Sequence, residues 1–442
     1  MIEIYAVGGY NEVGKNCTAI NVDGDVVIID LGIHLENYIK LTEDEDLVKI
    51  DAKKLMDAGA VPDISVLDNI NNKAKAIVIS HAHLDHVGAV PYIADKFNAP
   101  IICAPYTAGI IRRILKDDKI RLKNEIKTLN LNSYYKTSDN IKIEFIHITH
   151  SVPQTALVAV HTKYGIILYS NDFKLDLHPT LGKKPNFKRL EEIGKEGVMA
   201  LIVESTYASD ARKMPSESVA KEMLKDVLLG TDNKDNLIIV TTFSSHMARL
   251  KSIVEFGKKL NRKILFLGRS LAKYVRAAEE AGIINFSKDI EIVKYSRQIE
   301  RRLKNVDKER KKYLLVVTGH QGEPGSVLCK IAKREFKFNL YPEDNVVFSC
   351  RTIPTPTNIA NRDSLENELK QTGVRIFKDI HQSGHAAKED LRDFINILKP
   401  KNIIPAHGTK EMKDALAELC IEMRYEIDKN IFLIRDGEKI SL

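Results

Sequence analysis

The chain has 442 residues, 44% of them hydrophobic, with 67 Lys+Arg against 60 Asp+Glu, so it can bury one large core or two smaller ones and is not mainly disordered. A net charge of +7 is compatible with anionic partners but too small to identify one. No apolar run reaches the length of a membrane span, the start MIEIYAVGGYNEVGKN lacks a secretory pattern, and Cys17, Cys103, Cys329, Cys350 and Cys420 form no CxxC pair, which argues against a thiolate zinc site or a disulfide framework and suits a reduced, cytoplasmic protein.

Short strands dominate the first part of the chain. CTAINVDGDVVIID (17–30) reads as a hairpin turning at Asp23-Gly24, because Asp-Gly accepts the positive φ of a tight turn. An acidic stretch from Glu36 to Asp57 follows, expected as an excursion over the surface. Then come a strand AKAIVIS (74–80), a helix after His86, a second helix from about Ala108 to Lys127, and a strand IKIEFIHIT (141–149). TALVAVHTKYGIILYSND (155–172) reads as another hairpin, turning near Gly165. After MALIVESTY (199–207) strand and helix alternate: NLIIVTTF, a helix over roughly 244–260, KILFLG, a helix from Ser270, and YLLVVTG. That rhythm is the signature of βαβ units on a parallel sheet. From about Ile380 the chain carries a strand NIIPAHG, a helix from Lys410 and a closing hairpin in IFLIRDGEKISL. The order implies a strand-rich domain interrupted by an α/β insertion, with the tail returning to the first domain.

The most informative segment is AIVISHAHLDHVGAV (76–90). A buried strand ends at Ser80, and His81, His83, Asp85 and His86 occupy the turn before a helix. Residues i and i+2 of an extended segment point the same way, so His81 and His83 can share one ion while Asp85 and His86 address a second. Imidazole and carboxylate donors without thiolate suit zinc or manganese in a site with open positions. Further donors sit at strand ends: Asp30 ends VVIID, His150 ends FIHITH, Asp172 ends ILYSND and His407 ends NIIPAH.

These motifs resemble the metallo-β-lactamase superfamily: a strand-end Asp, His-x-His-x-Asp-His, a later His and a later Asp. The resemblance implies an αββα sandwich in which His81, His83 and His150 hold one ion, Asp85, His86 and His407 the other, and Asp172 bridges, with Asp30 supporting the site without being a ligand. The α/β insertion after Glu204 narrows the resemblance to the β-CASP nucleic-acid nucleases, whose extra motifs fall on VEST (Glu204), HQSGHA (His385) and PAHG (His407). His407, where DNA-directed relatives usually have valine, implies RNA as substrate. GGYNEVGKN, VPDISVL, VVTGHQGEPGSVL, VVFSCRTIP and HQSGHA are similar to the ribonuclease J group. On this basis residues 1–208 are expected to form the first part of the lactamase-like domain, 209–374 a Rossmann-like β-CASP domain, and 375–442 the return segment. The resemblance leads to the expectation of neither the bacterial relatives' additional C-terminal domain nor an N-terminal KH-type module.

The resemblance implies a 5′-to-3′ exoribonuclease hydrolysing 5′-monophosphorylated single-stranded RNA with two zinc ions per chain, manganese or magnesium being alternatives. His385 would protonate the leaving ribose oxygen, with Glu204 holding it charged. His381, Ser383, Gly384 and His385 would receive the 5′ phosphate. A cytoplasmic role in RNA decay or maturation is expected, with a homodimer and RNA-processing partners as further expectations. The rivals are an endoribonuclease of the same fold, an inactive scaffold, and a small-molecule hydrolase. KYSRQIERRLKNVDKERKKY (294–313), with nine Lys+Arg against three Asp+Glu, is open between a solvated helical face and a guide for RNA backbone. RRILKDDKIRLKNEIK (112–127) is equally open, and so is the TGHQGEP loop around His320 between a plain turn and a phosphate cradle. His34, His147, His161, His178 and His246 read as structural.

Overall fold

The structure, a computed structural model, describes residues 1–44 and 51–442. The chain divides into two compact units, one of Met1–Leu175, Lys184–Met214 and Gly384–Leu442, the other of Asp176–Lys183 and Pro215–Ser383. In the first unit lie β1 (Ile2–Gly8), β2 (Cys17–Val22), β3 (Asp25–Ile29), β4 (Ala74–Ile79), β5 (Ile101–Cys103) and β6 (Ile126–Thr128). It continues with β7 (Ser133–Lys136), β8 (Lys142–His147), β9 (Ala156–Thr162), β10 (Gly165–Ser170) and β11 (Val198–Glu204). The second unit holds β12 (Ile238–Thr241), β13 (Lys263–Leu267), β14 (Ile290–Val293), β15 (Tyr313–Val317), β16 (Asn345–Phe348) and β17 (Arg375–Phe377). Strands β18 (Asn402–Ala406) and β19 (Lys439–Ser441) return to the first unit.

Two sheets build the first unit, in the orders β19-β1-β2-β3-β4-β5-β6 and β18-β11-β10-β9-β8-β7. Their facing sides share one core, in which Ile4, Ile29 and Val78 meet Phe145, Val158, Tyr169, Ile202 and Ile404. Alternate residues of the second sheet face the other way: Leu157, Leu168, Leu201 and Ile403 pack with Leu190, Phe394 and Leu416 from the helices Phe187–Glu196, Lys388–Leu398 and Lys410–Glu422. Because both faces of this sheet are covered, its strands read as unbroken apolar runs. Helix Pro105–Asp117 covers the end of the first sheet beside β6, completing the expected αββα sandwich. The hairpins form where the turn chemistry predicts them, with Asp23 and Gly24 at φ 51° and 95° and Thr162 paired with Gly165.

The second unit has a wholly parallel sheet, β14-β13-β15-β12-β16-β17. Leu237, Ile239, Leu265, Leu315 and Phe348 form its core with Leu303 and Leu365. Arg249, fully buried in this unit, donates in a two-pronged fork to Glu217 (2.7 and 2.8 Å) and through one nitrogen to the carbonyls of Ser349 (2.8 Å) and Ile380 (3.0 Å). A buried guanidinium stripped of its carboxylate is costly, so Glu217→Ala should destabilise this unit by about 3–5 kcal/mol. Replacing the pair together with Arg249→Met and Glu217→Leu should cost far less. Denaturation midpoints of the full chain check this, and equal losses in the single and double variants would contradict it.

Three local expectations change. The second helix spans Pro105–Asp117, not 108–127: proline at its first turn presets the helical φ, Lys119 turns left-handed (φ 57°), and Ile126–Thr128 becomes an edge strand parallel to β5. The basic run 112–127 is therefore not one helical face. The C-terminal residues do not close a hairpin; β19 runs antiparallel to β1, pairing Glu3 with Ser441, and covers what would be an open sheet edge. The acidic excursion is helical at Leu35–Asp44 and Ala52–Asp57, and its middle, residues 45–50, lies outside the described residues. Among the described residues no helix is long and apolar enough to cross a membrane.

Candidate metal centre

The site is built at one rim of the first unit from residues that end strands. Asp30 follows β3, Ser80 and His81 follow β4, Asp172 lies just beyond β10, Glu204 closes β11 and His407 follows β18. Asp30, Asp172 and His407 all adopt left-handed backbone, with φ of 62°, 54° and 51°. For a residue with a Cβ this costs roughly 1–2 kcal/mol each, and such strain gathers where side chains are aimed at a function.

Beside a three-member group of Asp172, Glu204 and His385, two sets of four donor atoms form, each with all members within 4.8 Å of one another: His81, His83, His150 and Asp172, and Asp85, His86, Asp172 and His407. Asp172 belongs to both, and its two oxygens divide between them. Oδ2 lies 3.4 Å from His81 Nε2 and 3.6 Å from His150 Nε2, while Oδ1 lies 3.3 Å from His86 Nε2 and 3.2 Å from His407 Nε2. Oδ1 is buried yet accepts no hydrogen bond.

The partners of the other ring nitrogens decide the tautomers. His150 Nδ1 donates to the carbonyl of Gly384 (2.7 Å), His86 Nδ1 to Asp30 (2.7 Å) and His407 Nδ1 to Asn16 Oδ1 (2.9 Å). Ser80 spends its hydroxyl hydrogen on Asp30 (2.8 Å) and so accepts from His81 Nδ1 (3.0 Å). Asp30 itself is saturated, taking the Ser80 amide and hydroxyl, His86 and Tyr169. In each of these imidazoles Nε2 is left as the lone pair facing the centre. The lone pairs of His81 and His150 both point at His83 Nδ1, at 3.3 and 3.1 Å.

Electrostatics agree. Burial, reinforced by neighbouring imidazoles, lowers the pKa of His81 and His150 and takes His83 down to about 3, so all three are neutral ligands at physiological pH. At His86 burial opposes a charge, but Asp172, Asp85 and Asp30 outweigh it and raise the pKa. That position demands a positive charge, and a divalent cation can supply it in place of a proton. The donor set fits two divalent cations.

His385 sits beside this centre, its ring 5.0 Å from that of His150 and stacked 6.0 Å from that of His407. Its Nδ1 is 2.6 Å from Glu204, which is fully buried and also accepts the Phe173 amide at 2.9 Å. Burial works against a charged ring, but Glu204 and Asp172 prevail and raise its pKa to about 10. Of the remaining candidates, Gly384 belongs to this unit, while His381 and Ser383 belong to the other.

Comparison with known proteins accounts for the whole chain. Residues 10–184 match the model of the metallo-beta-lactamase superfamily, residues 235–366 that of the Ribonuclease J beta-CASP domain, and residues 374–433 that of the Zn-dependent metallo-hydrolase RNA specificity domain. Ribonuclease J of Methanocaldococcus jannaschii is 45% identical, covering 100% of this chain and 98% of the relative. The chain belongs to the Ribonuclease J family of metal-dependent ribonucleases. Ribonuclease J of Pyrococcus abyssi is 42% identical, covering 100% of this chain and 97% of its own. Ribonuclease J 2 of Staphylococcus aureus (strain NCTC 8325 / PS 47) is 31% identical over 100% of this chain and 74% of its own. A crystal structure of a protein of unknown function from Enterococcus faecalis V583 shares the fold, with a TM-score of 0.67 at 17% identity over 100% of both chains.

Several members of this Ribonuclease J centre escape a search for metal donors, because Asn, Ser and Tyr are ordinary residues until their partners are known. Ser80 orients His81 and Asp30, Tyr169 donates to Asp30, and Asn171 donates to Tyr169 and to Asn16. The usable signals were position alone: Ser80 between a buried strand and His81, and Asn16 at the end of GGYNEVGKN. Among the histidines read as structural, His161 pairs with Glu144 at 2.7 Å, and His246 caps helix Met247–Lys259 by accepting the Arg249 amide at 3.2 Å.

Proposed function

We propose that the protein is a 5′-to-3′ exoribonuclease acting on single-stranded RNA with a 5′ monophosphate, with zinc at both positions of the centre. The observation that carries this reading is the contact between Gly384 of the HQSGH segment and the metal cluster. The carbonyl of Gly384 accepts from His150 Nδ1 at 2.7 Å, and a Cβ at Gly384 would stand 2.8 Å from the Ser151 amide and 3.0 Å from His150 Nδ1. Only glycine fits so close. A 5′ phosphate held at Gly384 would sit beside the metal cluster, which makes the chain end the ruler.

The ligands assigned to zinc are His81, His83, His150 and Asp172 for one ion and Asp85, His86, His407 and Asp172 for the other, a donor set suited to that metal. Two such cations, when bound, supply Lewis acidity to the phosphodiester and acidify the attacking water. Asp30 and Ser80 keep His81 and His86 in the tautomer that offers Nε2. His385, charged through Glu204 and committed to it at Nδ1, protonates the leaving ribose oxygen from Nε2. The backbone at Gly384 and His385 binds the terminal phosphate.

The test compares 5′-monophosphate, 5′-triphosphate and circular RNAs of one sequence, with products resolved by length. Mononucleotides should appear at once from the monophosphate substrate. The triphosphate, too large for a pocket that fits a monophosphate, should be cut roughly 10–100-fold more slowly, and circular RNA, which offers no 5′ end, should release no mononucleotides. Long fragments released from circular RNA at the rate of the linear monophosphate would mean endonucleolytic cleavage instead.

A further inference from the structure

We infer that Asn16 is a positioning residue for one of the two cations, holding Asp85, His86 and His407 in register through a single carboxamide. The inference rests on the two-cation reading above and adds a residue that is not itself a ligand.

Asn16 is 1% exposed and lies between the left-handed Lys15 and the start of β2. Its Oδ1 accepts from His407 Nδ1 at 2.9 Å and from Asn171 Nδ2 at 3.2 Å. Its Nδ2 donates to the Asp85 carbonyl at 3.0 Å and lies 3.1 Å from His86 Nε2. The backbone repeats the attachment: the Asn16 amide donates to the same Asp85 carbonyl at 3.0 Å, and the Gly32 amide donates to the Asn16 carbonyl at 3.0 Å. Two donors converge on Oδ1 and a carbonyl waits at Nδ2, so the amide has one satisfactory orientation; flipped, it would set donors against donors.

These contacts bring together residues 69, 70 and 391 positions away in the chain. The surrounding loop is shaped for the side chain. The His407 amide donates to the Gly9 carbonyl at 2.6 Å, and a Cβ at Gly9 (φ +84°) would stand 2.5 Å from Asn16 Oδ1. Without Asn16, His407 loses the acceptor that fixes its tautomer and ring orientation, and the turn carrying Asp85 and His86 loses its tie to β18. The ligands of the other set are oriented independently, His81 by Ser80 and His150 by Gly384. Removal of Asn16 should therefore weaken one cation and spare the other.

The experiment titrates cation-stripped full-length protein with zinc by calorimetry, with bound metal counted separately. Wild type should take up two ions. Asn16→Ala should bind one of them roughly 10–100-fold more weakly, with the other unchanged. Asn171→Ala, which removes one of the two donors to the carboxamide oxygen together with the bond to Tyr169, should weaken the same ion less, and its denaturation midpoint should stay near wild type. His407→Ala should weaken that ion too, and Asn16→Ala added to His407→Ala should bring a smaller loss than Asn16→Ala alone, because part of its effect runs through His407. Wild-type affinity for both ions in Asn16→Ala and Asn171→Ala, or equal weakening of both ions, would overturn the assignment. Fewer than two ions in wild type would instead overturn the two-cation reading on which it rests.

Discussion

Asp172→Ala is expected to abolish stable binding of both cations and to slow RNA hydrolysis by roughly 10³–10⁴-fold, the equivalent of several kcal/mol of lost charge stabilisation at the phosphodiester. The expectation follows from the way its two oxygens divide, Oδ2 towards His81 and His150 and Oδ1 towards His86 and His407. No other residue belongs to both sets of ligand atoms and also faces both pairs of imidazoles among the described residues. His83→Ala is the matching control, because His83 touches one set only, and it should weaken one ion while leaving the other measurable. Metal content and single-turnover cleavage, measured on the same preparations, separate the two variants. Retention of both ions at wild-type affinity in Asp172→Ala would show that the carboxylate does not bridge.

The parts of this centre that were legible in the sequence are those where chemistry and secondary structure coincide. A buried strand is an apolar run, so a His or Asp at its carboxyl end stands out, and β3, β4, β10 and β18 each end that way. Histidine is also rare enough that His81, His83 and His86 in one turn carry meaning by themselves. The supporting residues were not legible, because hydrogen bonds between Asn16 and His407 or Asn171 and Asn16 join distant points and leave no periodic trace. Nor was the left-handed backbone at Asp30, Asp172 and His407, where neither glycine nor a turn motif marks the position. The fold shows the same division. Hairpins set by local turn residues were readable, whereas β19 pairs with β1 across nearly the whole chain and the helix from Pro105 ends where the backbone at Lys119 turns left-handed. In the second unit, the alternation of strand and helix revealed a parallel sheet, but the fork between Arg249 and Glu217 depends on two helices meeting and could not be read from either.

His385→Ala should lower the rate of the chemical step by roughly 10²–10⁴-fold, the usual contribution of a positioned proton donor, while the protein still binds both cations. The imidazole contacts Glu204 at 2.6 Å, and because a carboxylate without a proton can only accept, the hydrogen of that bond belongs to Nδ1. The transferable proton is then on Nε2. Glu204→Gln should keep the bond from the Phe173 amide by using its carbonyl oxygen, but it turns an N–H towards His385 and removes the charge that favours imidazolium. The acid then loses its proton at lower pH, so the alkaline limb of the rate profile should move down in Glu204→Gln. A substrate whose leaving atom is sulfur departs as a thiolate without needing a proton, and on it the His385→Ala defect should shrink towards wild type. Equal defects on the oxygen and sulfur substrates, with metal content intact, would assign His385 to holding the RNA rather than to protonating the leaving group.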